Sequence, residues 1–254
     1  MIHLQIIETG KRFGNMNAEK DFFTKEYELT KEECEHLFLE NRKKAAAFYG
    51  FDENKFYMPT QQKDGSRQEL TKEMIAQEKD GWNLEIPADI LIVTDKTPNV
   101  VVGYPVADCA VVIMSDLKNG VSATAHCSAS FVDSKLPQMT LEALKEDYDS
   151  KEENIFVYVS ACASDNWVYN SYPKFIQDHD FWERTSAIQQ EGNKYRIDLR
   201  KAIQAQLKTH HFYQILYNPA DTITNPNYYS NFAAYHGDTT KKGRHYAGVF
   251  YKKR

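Results

Sequence analysis

The stretch that decides the fold reads NVVVGYPVADCAVVIMSDLKNGVSATAHC over residues 99–127. Apolar and β-branched residues dominate its first two thirds, where Pro105 and Asp108 are the interruptions. Proline is confined to strand ends, edges and bulges. The pattern therefore predicts two strands, over 100–104 and 109–114, or one strand with a bend between them.

The end of the same stretch predicts a hairpin. Small and apolar residues alternate over 121–126, which indicates a further strand. Asn119-Gly120 stands between this strand and the one before it, and Asn-Gly is typical of a tight hairpin turn. We therefore expect strands 109–114 and 121–126 to be paired.

The elements outside this stretch predict the fold class. Thr30 and Glu33 form a capping box that opens a helix, and Gly50 supplies its stop. Further strands are predicted over 88–94, 154–160, 212–217 and 245–251, and further helices over 140–148 and after an Asp198 cap. Strands and helices alternate irregularly and include hairpins. This favours an α+β layered sandwich with mixed sheets over a doubly wound parallel sheet.

Length and composition exclude several classes of protein. The 254 residues contain no repeat and no linker rich in Pro, Gly or Ser, which predicts one domain over 1–254. The net charge of −5 argues against a nucleic-acid binder, because phosphates attract a basic face. The N-terminal residues have no apolar run of signal-peptide length, and no segment approaches the ~20 apolar residues of a membrane span. We expect a cytoplasmic protein with no membrane partner.

The cysteines do not form a redox or zinc-ribbon motif. They are Cys34, Cys109, Cys127 and Cys162, and none belongs to a C-x-x-C pair. Without an export signal, free thiols in a reducing compartment are expected.

Cys109 and His126 are the best candidates for chemistry. Each lies at the end of a predicted strand, and the hairpin brings the two strands together. A thiolate beside an imidazole can act as nucleophile and base. The same pair can instead supply sulfur and nitrogen to a zinc ion. A buried core cysteine and a hydrogen-bonded structural histidine are the alternatives to both.

Several ordered segments resemble the laccase-domain family, also called the YfiH-like or multicopper polyphenol-oxidase family. Ala107-Asp108-Cys109 followed by a strand is similar to the family's A-D-C-x-P-V, and His126 stands at the start of its H-A-G-W-R-G. The other matching segments are Asn41-Arg42, Pro87 to Thr94, Ala161-Cys162, Asp198-Leu199 with Gln206-Leu207, and Gly243-Arg244. The resemblance covers nearly the whole chain.

The resemblance implies a fold, a metal and a substrate. The fold would be an α/β/β/α sandwich. The metal would be zinc, with copper as the alternative, bound by His, Cys and His. Family members are called polyphenol oxidases and are better regarded as purine nucleoside phosphorylases with adenosine deaminase side activity. The expected partner is therefore a small molecule of the purine nucleoside class, processed with the metal as Lewis acid or source of hydroxide.

The chain departs from the family at the first metal ligand. The family's Q-x-H-G reads Gln62-Lys63-Asp64-Gly65 here, so Asp64 replaces the histidine. Carboxylate is an acceptable zinc ligand, which makes Asp64, Cys109 and His126 the predicted metal set. A turn residue before glycine is the other interpretation of Asp64.

Arginines of the family are also replaced. Ala129 and Ser130 occupy the Trp and Arg positions of H-A-G-W-R-G. The family's late S-Y-R-R-D reads Ala234-Tyr235-His236-Gly237-Asp238. A guanidinium holds an anion through two parallel hydrogen bonds, which serine cannot do, so these changes put phosphate use in doubt.

Three functions are consistent with the sequence. The first is a zinc-dependent purine nucleoside enzyme with weakened activity, in which Cys109, His126 and Asp64 bind the metal and Asp108 orients ligands or substrate. The second is a non-catalytic family member that binds a ligand or partner. The third is a metal-free hydrolase with Cys109 as nucleophile and His126 as base.

Overall fold

The computed structural model describes residues 2–16, 30–77 and 86–253, and β-sheets form its centre. Strands β1 to β15 are, in chain order, Ile2–Glu8, Phe56–Tyr57, Pro59–Thr60, Arg67–Glu69, Ile86–Pro87, Ile90–Thr94, Val101–Val106, Ala110–Asp116, Val121–Cys127, Ile155–Val159, Trp167–Tyr169, Ile188–Glu191, Lys194–Ile197, Gln214–Tyr217 and His245–Lys253. Helices α1 to α7 are Lys31–Tyr49, Lys72–Gln77, Ala129–Asp133, Leu136–Tyr148, His179–Arg184, Leu199–Leu207 and Asn231–Tyr235. None of the helices in these ranges is long and apolar enough to cross a membrane.

Two larger sheets carry most of the core. The large sheet has the strand order β14-β10-β8-β9-β6-β4, and the small sheet has the order β1-β15-β7-β2. Both are mixed, since β14 and β4 run parallel to their neighbours while the central pairs are antiparallel, and β2 runs parallel to β7. The prediction of an α+β fold with mixed sheets is confirmed.

Three buried clusters separate four layers. One contains Leu91, Val111 and other residues of the large sheet against Tyr104 and Val249 of the small sheet. The opposite face of the large sheet packs against α3, α4 and α6. The outer face of the small sheet packs against α1. Alternate residues of each strand point to opposite faces, which is why one strand serves two clusters. The order of layers is α/β/β/α, as expected.

Local signals place the ends of elements correctly. Thr30 Oγ1 accepts a hydrogen bond from Glu33 N at 3.2 Å, and Glu33 Oε2 accepts one from Thr30 N at 2.7 Å, so the capping box is confirmed. Gly50 ends α1 with a φ of 78°, a conformation that glycine adopts without a steric penalty. The β8–β9 hairpin is confirmed in register from Ala110–Cys127 to Asp116–Val121.

Pro105 does not end its strand. β7 extends to Val106, two residues beyond the predicted boundary, and Pro105 pairs with Tyr246 of β15. On its other side β7 pairs with β2 only at Val101 and Val102. Pro105 therefore lies where β7 has a partner on one side alone, and a missing N–H is tolerated there.

Candidate functional site

The candidate site lies where the chain crosses from the small sheet to the large one. Residues 107–109 connect β7 to β8, and Asp108 has a φ of 79°, in the left-handed region that most residues avoid. Its carboxylate accepts hydrogen bonds from Thr222 Oγ1 at 2.8 Å and from Phe232 N at 2.6 Å. Burial raises the pKa of Asp108. Its carboxylate thus holds the segment that runs from Thr222 to Phe232.

Cys109 and His126 share one face of the large sheet. His126 pairs with Val111, and Val111 belongs to the cluster between the sheets. Cys109, two residues before Val111, packs against the same cluster. The observed register of the β8–β9 hairpin places the two residues diagonally to each other.

The hydrogen-bond partner of His126 is Gln61. His126 Nδ1 lies 2.9 Å from Gln61 Oε1, and with the carboxamide in this orientation Nδ1 carries the proton, because a carboxamide oxygen only accepts. Its Nε2 is buried without a partner in the described part of the chain. The ring packs beside Tyr104, with 5.6 Å between ring centroids. Gln61 was not among the residues singled out in the sequence, which offered only its position next to Gln62.

Both candidate groups are neutral near pH 7. Burial, with a smaller contribution from the Asp108 charge, raises the pKa of Cys109 to about 12. Burial, assisted by the Arg244 guanidinium, lowers the pKa of His126 to about 4. Desolvation disfavours the charged form of each group. A protonated thiol and a neutral imidazole do not make the activated pair of a cysteine hydrolase.

This charge state predicts slow alkylation of Cys109. Thiolate is the nucleophile, so a pKa of about 12 leaves Cys109 almost wholly protonated at pH 7.5. Cys34 and Cys109 are both partly exposed, so the raised pKa of Cys109 carries the prediction. Iodoacetamide should label Cys109 at least about tenfold more slowly than Cys34, and the rate should rise roughly tenfold per pH unit. Mass spectrometry of tryptic peptides over time measures both rates. Labelling of Cys109 as fast as Cys34 at pH 7.5 would contradict this and favour the hydrolase.

Asp64 lies in a turn organised by Asp89. The backbone N–H groups of Gln62, Lys63, Asp64 and Gly65 all donate to the Asp89 carboxylate, at 2.8–3.0 Å. The Asp64 side chain is exposed and accepts a hydrogen bond from Ser66 N at 2.9 Å. Hydrogen bonding by Ser66 lowers the pKa of Asp64. These are the contacts of a turn residue.

The described residues do not form a zinc site. In the ranges 2–16, 30–77 and 86–253, no three His, Cys, Asp or Glu side chains form a group able to hold a metal. Cys109 and the neutral His126 are suitable donors, but Asp64 does not join them. Zinc sites in proteins use at least three protein ligands, so this arrangement does not fit the zinc that the resemblance implies.

A cavity of about 330 Å³ opens onto Cys109 and Asp108. We call it the aromatic cavity. Ring pairs in its wall are Tyr169 with Phe232, at 5.9 Å between centroids, and Phe232 with His236, at 4.1 Å. His126 is not among its lining residues. Its lining consists of Ala107, Asp108, Cys109, Trp167, Val168, Tyr169, Asn170, Asn231, Phe232, Tyr235 and His236.

Positions 130 and 236, where the family has arginine, differ in whether they line the aromatic cavity. His236 lines it, and its Nδ1 donates to Phe232 O at 2.8 Å. Ser130 is exposed in α3, where its hydroxyl lies 3.0 Å from that of Ser128. The replacement of arginine by His236 therefore changes the lining of the cavity, whereas the replacement of arginine by Ser130 lies outside the cavity.

Two cations near the site, Lys241 and Arg244, were not among the candidate site residues. Lys241 belongs to the basic run Lys241-Lys242-Gly243-Arg244, yet it is only 4% exposed and donates to backbone carbonyls. Arg244 is near enough for its charge to lower the pKa of both Cys109 and His126. The Gly243-Arg244 match to the family was the signal that could have identified Arg244.

Comparisons with known proteins agree with this architecture. YlmD from Geobacillus stearothermophilus has a TM-score of 0.73 and 15% identity, over 99% of this chain and 92% of that chain. The hypothetical protein YfiH from Bacillus licheniformis has a TM-score of 0.70 and 17% identity, over 86% and 82%. A Neisseria meningitidis protein has a TM-score of 0.64 and 16% identity, over 86% and 82%. At these identities the likeness establishes the fold alone. No curated protein matches significantly.

The sequence itself establishes the family. The profile described as multi-copper polyphenol oxidoreductase laccase matches residues 12–252, nearly the full length of the chain. The ordered motifs around Cys109 and His126 lie within this range. The chain is therefore a member of the multi-copper polyphenol oxidoreductase laccase family.

Proposed function

We propose that this chain binds a purine nucleoside in the aromatic cavity. The observation that carries the proposal is the cavity itself, whose volume of about 330 Å³ lies within the range of small-molecule sites. Its wall contains Trp167, Tyr169, Phe232 and Tyr235. Aromatic side chains stack on the faces of nucleobases. The purine class comes from the family resemblance, and the rings are consistent with it.

The charges around the cavity favour a nucleoside over a nucleotide. Cys109 is a neutral thiol, and the two oxygens of Asp108 are occupied by Thr222 and Phe232. The rim offers the carboxamides of Asn170 and Asn231, which can both donate and accept hydrogen bonds. No arginine or lysine is among the described residues that line the cavity. A neutral ligand with polar edges suits this lining, whereas a phosphate group would find no cationic partner among these residues.

Zinc-dependent phosphorolysis or deamination is the rival proposal. One observation favours it, since the Nε2 of His126 is buried, neutral and without a partner in the described ranges, as a metal-binding nitrogen requires. A zinc site needs a third protein ligand, which Asp64 does not supply in its present position. Binding without this chemistry is therefore our first proposal, and polyphenol oxidation has no separate support in the cavity.

Calorimetric titration with inosine and adenosine tests the binding proposal. We expect saturable binding, and Tyr235→Ala should weaken it about tenfold, because stacking on a base contributes ~1–3 kcal/mol. Tyr235 is 86% exposed, so its removal should leave the fold intact. Leu117→Ala, an exposed apolar residue in the β8–β9 turn, is the matched control. Equal affinity in both variants, or no binding to the unaltered protein, would refute the proposal.

The same samples decide between binding and catalysis. Elemental analysis measures zinc and copper per chain, and chromatography measures base release with phosphate and inosine formation from adenosine. We expect no turnover that depends on Cys109. Turnover that requires zinc and disappears in Cys109→Ser would establish the rival proposal.

A further inference from the structure

Lys241 is a buried cation inside a cage of backbone carbonyls. Its Nζ donates to Thr222 O at 2.9 Å, Asn225 O at 2.5 Å and Tyr228 O at 3.3 Å. An ammonium group has three N–H donors, and the three carbonyls match them in number. The side chain is 4% exposed, so water does not supply these contacts. A lysine is seldom buried to this degree unless its charge is balanced by partners.

The caged segment is held from its other side by Asp108. The Asp108 carboxylate accepts from Thr222 Oγ1 and from Phe232 N, at the two ends of the segment 222–232. The backbone adds a further bond, from Ser230 N to Lys241 O at 3.1 Å. Thr222 is thus bonded both to the carboxylate, through its hydroxyl, and to the ammonium, through its carbonyl.

This segment leads directly into a wall of the aromatic cavity. Helix α7 begins at Asn231, and Phe232, Tyr235 and His236 all line the cavity. The position of α7 depends on the segment before it, because Phe232 N is itself one of the groups bonded to Asp108. A shift of the segment would therefore move these lining residues together.

We propose that Lys241 is a positioning residue for the ligand site, its ammonium acting as a tethered cation that fixes segment 222–232 and hence the α7 wall. The consequence for ligand affinity rests on the proposed function. The loss of order in segment 222–232 does not rest on the proposed function, because it follows from the contacts of the carbonyl cage alone. Removing the side chain should leave a vacant carbonyl cage that accepts a small primary ammonium ion.

Chemical rescue of Lys241→Ala tests the cage directly. Propylammonium replaces the three carbons and the nitrogen that alanine lacks. We expect amide hydrogen exchange over 222–232 to become at least about tenfold faster in the variant. Propylammonium should restore most of the protection, whereas tetramethylammonium, which has the same charge and no N–H donor, should not. Lys118→Ala, an exposed lysine at the far end of the β8–β9 hairpin, is the control and should exchange as the unaltered protein does.

Inosine titration tests the link to the site. Affinity should fall about tenfold in Lys241→Ala and recover with propylammonium, since small displacements of a binding wall cost this much or more. If Lys241→Ala does not fold, Lys241→Met keeps the apolar stem and removes only the donors, and exchange is measured on it. Unchanged exchange in the variant that folds, or equal rescue by both ammonium ions, would overturn the cage. Altered exchange with unchanged inosine affinity would overturn the link to the site, and absence of inosine binding to the unaltered protein would refute the proposed function alone.

Discussion

Replacing Asp89 with alanine is expected to lower the free energy of unfolding by roughly 3–5 kcal/mol. The Asp89 side chain is fully buried, and its carboxylate accepts four backbone N–H bonds from residues 62–65. Hydrogen bonds to an ionised acceptor are stronger than neutral ones. Alanine would leave the four donors without their common acceptor, and a cluster of aligned N–H groups is an anion site that neutral atoms do not satisfy.

The variant Asp89→Asn keeps the shape of the side chain and removes its negative charge, so it tests the contribution of the charge. One end of the carboxamide can still accept, but its NH₂ group would face N–H donors of the loop, so the variant should also be destabilised. Urea unfolding monitored by circular dichroism measures both changes. Asp64→Ala is the control, because its exposed carboxylate bonds only Ser66 nearby, and its removal should have little effect. Equal stability of Asp89→Ala and Asp64→Ala would contradict the assignment.

A consequence for the site follows from the same loop. Gln61 precedes the four bonded residues and contacts His126 Nδ1 at 2.9 Å. Loosening of the loop should release this contact and allow the histidine to change tautomer. The His126 ring signals in NMR spectra of Asp89→Asn should report that change.

Asp108→Ala is expected to abolish inosine binding and to lower the free energy of unfolding by about 2–4 kcal/mol. Alanine removes the acceptor for Thr222 Oγ1 and Phe232 N, which fixes the α7 wall. It also places a residue without a polar side chain at a φ of 79°, where alanine is strained. Asp108→Asn should be much milder, because asparagine tolerates this conformation and its oxygen can still accept from Phe232 N. An alanine variant that binds inosine normally would contradict the role of Asp108.

The stability contribution of Asp108 should also depend on pH. Burial raises its pKa in the folded protein above the value of 3.8 for a free side chain, so the folded state binds the proton more readily than the unfolded state. Stability from this group is therefore greatest below pH 3.8 and is lost as pH rises through the folded pKa. The difference in unfolding free energy between the unaltered protein and Asp108→Asn should accordingly increase as pH falls from neutral towards 3.8. A constant difference over that range would contradict the raised pKa.

The sequence by itself determined the elements whose signals are local. Thr30 and Glu33 are three residues apart, and the Asn119-Gly120 turn joins adjacent strands, so neighbouring atoms are enough to form the cap and the hairpin. The hairpin brought the strands of Cys109 and His126 together, whereas the register that pairs His126 with Val111 came from the structure. The α+β class and its layers followed from the order of elements and from the ordered family motifs.

Only the tertiary structure decided what surrounds the candidate residues. Gln61 meets His126 across 65 positions, and Asp108 meets Thr222 and Phe232 across 114 and 124. Lys241 stands in a basic run of the sequence, and only the folded chain surrounds its ammonium group with backbone carbonyls. Backbone N–H and C=O groups make most of these bonds, and every residue type except proline, which has no N–H, carries both. Side-chain patterns therefore cannot show which backbone group will contact a given charge. Burial sets the pKa values of Cys109 and His126, and it exists only once the sheets have packed.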